Sequence, residues 1–487
     1  MLKRILHSNI HFLWLILFFI LHGYSGYIGL ISVTDLLILF VQYLVLSSAV
    51  LFLTGKLFHD FKKAAVYTTL FMLVFLFFED IRIFISKWRL TVLLSAFRYC
   101  FPLCLLLLFT GLIVLRKIKF RLTRLTFFLN SIFIIYTFID IVIISRDLLH
   151  SKNTANIVHI KTCDTCAKPP VYFIVLDEYF GSKGLRDYFN YDNSAFENHL
   201  RQKGFNIITN SHSNYRFTVY SMASILNMDY INEPGEHTVY NQQGFYKAML
   251  GIKNNAVCKT FVEQGYEIIN YSDFDIKKHP PGLSYNILPS QRSLISNRTM
   301  YYQAEKYLPF FVIRYTNFTG IANSLTKRFT QVNNLRLNKT IEDALKNVKK
   351  PTFTYLHLNM PHTPYAYDSA GNNVLYKSFH NLSQPQLDSM YLSYLIYVNK
   401  RMVPFIDSLQ KVTVNNAVII LLSDHGYRDA YVKNSKLAHQ NLFAVYEPGN
   451  ESGFQRDSIT SVNTFRILFN DLFNQHFPLL KDSLVTH

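Results

Sequence analysis

Cysteine is scarce in this chain, with five residues in 487. Cys163-Asp164-Thr165-Cys166 has no second pair nearby, which argues against a four-ligand structural zinc site. Those two cysteines can form a small disulfide outside the cytoplasm or stay as thiols, with Cys258 unpaired. Cys100 and Cys104 sit in an apolar run and read as packing residues. Acid is short as well: 32 Asp and Glu face 49 Lys and Arg, a formal charge of +17. Such a balance suits nucleic acid or anionic lipid, and no basic, aromatic-interleaved motif favours nucleic acid. Internal repeats and low-complexity tracts are missing too.

Charge is also absent from long stretches of the first 146 residues. Phe12–Val33 holds no acid, Lys or Arg and is long enough for ~30 Å of hydrocarbon. Leu36–Thr54, Ala64–Phe78, Thr91–Leu115 and Thr126–Ser145 are further apolar stretches, so a bundle of about five transmembrane helices is expected. Ala64–Phe78 is the short one and needs Ile81–Ile85 to help it span. No small-residue cleavage site follows the first stretch, and four more come after it, so it reads as an anchor. With the amino terminus inside, Lys3, Arg4, Lys56, Lys62, Lys63, Arg116, Lys117, Lys119, Arg121 and Arg124 are cytoplasmic. Outside loops then carry only Arg82, Lys87 and Arg89, as the positive-inside rule requires. Residues from about 150 onward are thereby expected outside the cytoplasm, in a multi-pass inner or plasma membrane protein. Asp140 and Arg98 are ionisable groups within the spans; bundle packing or snorkelling is favoured over a pocket for a lipid head group.

Beyond Lys168-Pro169-Pro170, apolar strand-like runs alternate with helical patterns, which predicts an α/β domain. Expected strands are Val171–Leu176, Phe205–Ile208, Tyr266–Ile269, Thr352–Leu358, Ala417–Leu422 and Leu442–Tyr446. Lys277–Arg336 lacks periodicity and reads as an insertion covering the site. The expected organisation is a membrane domain over 1–146, a linker over 147–170 and an extracytoplasmic catalytic domain over 171–487.

Three segments carry the chemistry. Ser423-Asp424-His425-Gly426 follows a buried strand, so a carboxylate and an imidazole stand at its carboxyl end, where open α/β sheets bind ligands. Asp177 ends the run Val171–Leu176 in the same way, and two such carboxylates can converge on one cation if the strands are neighbours. Its neighbour Glu178 is expected to point away. Thr218 opens a helix whose apolar face is Val219, Met222, Ile225 and Leu226. Its hydroxyl can cap that helix, or become a nucleophile beside a divalent metal. Asp, His and a hydroxyl favour zinc or manganese over calcium.

These motifs, in this order, resemble the alkaline-phosphatase superfamily, and its sulfatase-like branch most closely. In the Cys-x-Pro-Ser-Arg pattern of sulfatases, Thr218 takes the cysteine's place and Ser221 the serine's, followed by Ala223, Ser224, Ile225 and Leu226. Tyr220 and Met222 replace the proline and arginine. Threonine cannot be oxidised to the formylglycine aldehyde, so the usual sulfatase chemistry is not expected. Phosphoethanolamine transferases and lipoteichoic acid synthases are the membrane-bound relatives that keep threonine. The resemblance implies an alkaline-phosphatase-like domain with a central, mostly parallel sheet and a metal held by Asp177, Thr218, Asp424 and His425. It also implies that His357 and His362, in Tyr355–Tyr365, contact the substrate's charged group or a second metal. By spacing Asn441 falls where the family places a later histidine ligand, with His439 two residues earlier, so a single-metal site or an atypical second metal or substrate site is implied.

The leading expectation is a membrane-anchored, metal-dependent enzyme whose Thr218 moves a phospholipid-derived phospho-group to an envelope acceptor. A sulfuric ester hydrolase working without formylglycine is the second reading, and a non-catalytic membrane binding protein retaining the fold is the third. Membrane lipids and a phospho- or sulfo-ester are the expected partners.

Overall fold

The computed structural model describes residues 2–88, 91–119, 122–150, 161–231, 240–283, 291–315, 319–346, 351–374, 382–432, 434–449 and 453–485. Arg89, Arg121 and positions 151–160 of the expected linker lie outside them. The chain forms two compact units, Met1–Thr154 with Pro289–Asn317, and Ala155–Leu288 with Phe318–His487.

In the first unit the apolar stretches fall for the most part on five helices: His11–Ser25, Val33–Phe58, Phe61–Leu76, Phe97–Lys117 and Thr123–His150. By length and composition Val33–Phe58, Phe97–Lys117 and Thr123–Leu149 can cross a membrane, while His11–Ser25 is apolar but shorter. That first helix stops well before Val33. The chain turns through Gly26 and Gly29, the latter at φ 85°, and Ser32 then caps the next helix by accepting the Asp35 N–H. Asp140 is buried with one oxygen 3.2 Å from His22 Nδ1, whereas Arg98 is exposed and lies over the Tyr99 ring.

Residues 291–315 depart from expectation. Read as irregular, they carry the helices Ser293–Ser296 and Met300–Tyr315 and pack within this first unit. The Glu79 N–H donates to the Arg298 carbonyl at 3.0 Å, and Arg298 pairs with Asp80. Met300 is buried against Val74, Phe78 and Phe97. Among the described side chains of Met300–Tyr315 only Met300 and Gln303 are buried, too few to show as an apolar period.

The second unit is built on a six-stranded sheet. Its strands are β1 (Val171–Leu176), β2 (Asn206–Ile207), β4 (Glu267–Tyr271), β5 (Thr352–Leu358), β6 (Val418–Leu422) and β7 (Phe443–Tyr446), in the order β2-β7-β6-β1-β5-β4. β1 runs parallel to both β5 and β6, and β4 parallel to β5; β7 is antiparallel to β6 and to β2. The sheet is therefore mostly parallel, as expected. Every residue of β1, β5 and β6 is buried, which is why β1 and β6 are continuously apolar or aromatic, while β5 also buries Thr352, Thr354 and His357. Two short strands escaped the pattern reading, β3 (Asn210–His212) and β8 (Ser458–Thr460), which pair as a separate ribbon. Three residues each, largely polar, give no alternation to detect.

Register decides the site. Val175 pairs with Leu422 on one side and with His357 on the other. The residues just past β1 and β6, and the end of β5, thus lie side by side at one edge of the sheet.

Candidate active site

Asp177 leaves β1 with its N–H donating to the Leu358 carbonyl at 3.0 Å, which ties it to the end of β5. Asp424 and His425 leave β6. Their ligand atoms and a carboxylate oxygen of Asp177 all lie within 4.8 Å of one another, the group among the described residues suited to a metal ion. His425 Nε2 is 3.4 Å from Asp424 Oδ2 and 3.7 Å from Asp177 Oδ1. All three residues are buried.

The donor set fits a divalent cation. His425 Nδ1 donates to the Gly426 carbonyl at 2.8 Å, which fixes the tautomer and leaves the Nε2 lone pair facing the carboxylates. Asp177 Oδ1 and Asp424 Oδ2 are buried without a hydrogen-bond partner. Buried carboxylate oxygens without donors are costly unless a cation meets them. Burial first, then the adjacent Asp424 carboxylate, pushes the Asp177 carboxyl above its usual range. Burial pushes His425 down to about 3, so its imidazole is neutral and able to ligate.

Gly426 is needed for space. A Cβ there would lie 2.2 Å from the Gln440 carbonyl oxygen and 3.0 Å from that of Ala438. The turn after His425 passes directly against residues 438–440, and the Gly426 N–H donates to the Ala438 carbonyl.

Thr218 begins the helix Thr218–Asn227, but Phe217 occupies the cap position, in extended conformation. The Thr218 hydroxyl is turned to His425, with Oγ1 3.4 Å from Nε2. Ser221, one turn on, is buried and donates to the Tyr215 carbonyl. It is committed to backbone, whereas Thr218 faces His425.

The two expected histidines part company. His357, on β5, is buried with Nε2 3.9 Å from Asp177 Oδ2, and Nδ1 meets the Tyr355 hydroxyl at 2.9 Å. Burial pushes it down to about 4. His362 stands farther off. Its Nδ1 donates to the Thr363 carbonyl, and its Nε2 accepts from Arg428 and lies 3.7 Å from Glu178. His439 is buried; Nδ1 donates to the Ser213 carbonyl at 2.9 Å and Nε2 has no partner. Asn441, at the ligand place expected by spacing, is consumed by structure: it accepts from Ser211 and donates to the Ser423 carbonyl and Ser461. Its amide ties the strand end to neighbouring loops and leaves nothing for a ligand.

Two arginines beside the site, Arg428 and Arg336, were not among the expected residues. Glu178, left-handed at φ 65°, turns its carboxylate to Arg428 and not to the Asp177, Asp424 and His425 group. Its carboxylate then accepts the Arg428 N–H at 3.0 Å and Arg428 Nε at 3.4 Å. Arg428 drew no notice, although a cation two residues after Asp-His-Gly was a readable signal. Behind β5, fully buried Arg336 donates to the His357 carbonyl at 2.6 Å, to the Leu283 carbonyl and to Asp273.

A mostly parallel sheet with carboxylates and imidazoles at its carboxyl ends, faced by a hydroxyl at a helix start, defines an α/β enzyme of the alkaline-phosphatase type. The Sulfatase family model matches residues 187–452, more than half of the chain and including Thr218, His357, His362, Asp424, His425 and His439. The chain belongs to the Sulfatase family, and is a sulfatase-like hydrolase or transferase. No curated protein matches it significantly. Among solved structures, it is similar to the integral membrane lipooligosaccharide phosphoethanolamine transferase A of Neisseria meningitidis. That pair is 11% identical over 96% of this chain and 95% of the other, with a TM-score of 0.41. The C-terminal periplasmic domain of EptC from Escherichia coli is 13% identical, covering 64% of this chain and 86% of that one, with a TM-score of 0.39.

Proposed function

We propose that this membrane protein is a metal-dependent transferase that uses Thr218 to take a phospho-group from a lipid ester and pass it to an acceptor outside the cytoplasm. The observation that carries the reading is the placement of Thr218 Oγ1 3.4 Å from His425 Nε2, beside two buried carboxylates with unpartnered oxygens. Asp177, Asp424 and His425, joined by the Thr218 hydroxyl, would hold a divalent cation, with zinc or manganese suited to this mixed oxygen and nitrogen set. When bound, that ion lowers the pKa of the hydroxyl and offsets charge on the transferring group.

Thr218 Oγ forms a bond to phosphorus as the bond from phosphorus to the leaving oxygen breaks. The proton lost by the hydroxyl is matched by the one gained by the leaving group. An acceptor hydroxyl then attacks phosphorus, the bond to Thr218 breaks, and the acceptor's proton returns to the threonine oxygen. His357, next to Asp177 and with Nε2 open, is suited to the non-bridging oxygens or the departing group. His439, with its own Nε2 open, is the candidate for a second cation or a more distant part of the substrate. Apolar helices in the same chain support a lipid-borne donor, since they keep the enzyme where such esters are.

The test is Thr218→Ala in the full-length protein, assayed on aryl phosphate and aryl sulfate esters and examined by mass spectrometry for a phospho-threonine adduct. Loss of turnover and of the adduct, with metal content unchanged, is expected. Persisting activity would place the nucleophile elsewhere and overturn the reading.

A further inference from the structure

Glu178, Arg428 and His362 form a second charged cluster joined to the first by covalent neighbours. Glu178 follows Asp177, and Arg428 lies three positions after His425. The Glu178 N–H donates to Asp424 Oδ1 at 3.1 Å, and its carbonyl accepts the Tyr391 hydroxyl at 2.7 Å. A buried carboxylate demands a cation, and Arg428 supplies it through Nε and the backbone N–H. Nη2 donates to His362, which leaves Nη1 without a partner among the described residues. The guanidinium carbon lies 6.0 Å from the centre of the Phe217 ring, and Phe217 immediately precedes Thr218.

Exposure separates the two clusters. The side chains of Asp177, His357, Asp424, His425 and Glu178 are at most 9% exposed, while Arg428 is 32% and His362 23% exposed. Arg428 is thus the charged group here that an entering anion meets first. Its fork is fixed on one edge by Glu178, so little rotamer freedom remains to be lost on binding. Planar, pre-oriented guanidinium groups suit tetrahedral oxyanions.

We propose that Arg428 is a substrate-binding residue that receives the non-bridging oxygens of the phosphate or sulfate ester, with Glu178 and His362 positioning it. The proposal rests on the reaction assigned above to the same site. It gives that reaction a means of orienting the tetrahedral centre toward Thr218.

The experiment titrates inorganic phosphate and, separately, inorganic sulfate into the full-length, metal-loaded protein by calorimetry. Parent, Arg428→Ala and Arg428→Lys are compared, with metal content and thermal midpoint measured for each. Arg428→Ala is expected to weaken binding of the preferred anion at least ~10-fold with metal retained, and Lys to recover only part of it. On an aryl ester the loss should fall mainly on KM, and added guanidinium should restore part of it in Arg428→Ala. Anion affinity within about threefold of the parent in Arg428→Ala would overturn the proposal. So would loss of metal or of cooperative melting in both variants, which would make the residue structural. If Thr218→Ala abolishes turnover while Arg428→Ala binds anion normally, the clamp fails and the reaction stands. If Arg428 governs anion binding but Thr218→Ala stays active, the reaction fails and the clamp stands.

Discussion

Asp424 divides its two oxygens between two tasks: Oδ1 accepts the Glu178 N–H at 3.1 Å, while Oδ2 stays without a hydrogen-bond donor, 3.4 Å from His425 Nε2. One oxygen joins the ends of adjacent parallel strands, and the other is left for a cation. Asp424→Asn preserves an acceptor for Glu178 but removes the charge. It should fold with a thermal midpoint near the parent's and bind metal at least ~100-fold more weakly, more than loss of an outer hydrogen-bond partner costs. Elemental analysis after desalting decides it, and full metal occupancy would contradict the assignment.

Tyr355 acts on the same site through His357. Its hydroxyl meets His357 Nδ1 at 2.9 Å, and that contact sets which ring nitrogen faces Asp177. Tyr355→Phe should leave the fold intact and lower turnover by roughly 10–100-fold, the usual cost of losing an orienting partner. Kinetics beside a melting curve would show whether activity falls without stability.

Gly426 offers a test of packing against chemistry. A methyl group there meets backbone oxygens of residues 438 and 440, which cannot swing aside as a side chain would. Gly426→Ala should therefore destabilise the catalytic unit by roughly 1–3 kcal/mol or more and displace His425. Chemical denaturation measures the first effect and metal content the second; an unchanged midpoint would mean that the turn has room to move.

Acid should weaken the metal-free protein. Burial lowers His425 to about 3 and His357 and His439 to about 4, against 6.5 ordinarily. Between those values the unfolded chain binds protons that the folded one does not. The stability due to these histidines is present above pH 6.5 and is lost as pH falls toward 4. Asp177 works oppositely, since a raised carboxyl keeps its proton longer in the fold and gives up stability as pH rises. Three groups outweigh one, so the thermal midpoint of metal-free protein should drop between pH 6.5 and pH 4. His439→Gln should flatten the slope, and a midpoint rising toward acid would contradict it.

Much of this was legible beforehand, and the reason differs by element. β1 spans the residues expected of it because a strand buried on both faces is apolar throughout, and β5 does so because its aromatic, β-branched and leucine residues mark a buried strand, both local properties. Asp177, Thr218, Asp424 and His425 were legible because each sits at the boundary of a recognisable strand or helix. The helices Ser293–Ser296 and Met300–Tyr315 were not, since the first is only four residues long and the second mixes aromatic and basic residues without a clear period. His357 and His362 are placed apart because only the path of the chain after β5 decides which imidazole lies near Asp177 and which meets Arg428.

By itself, then, the order of residues determined the apolar helices, the buried parallel strands and the chemical kinds of group at their ends. Those follow from short-range periodicity and from what can be buried. The tertiary structure alone decided that Asp424 shares its carboxylate between a backbone N–H and the open centre, that Asn441 is spent on structure, and that Glu178 meets Arg428 some 250 positions away. A charge or an amide looks the same in sequence whether it faces water or a buried partner, and only strand register and loop path bring such groups together.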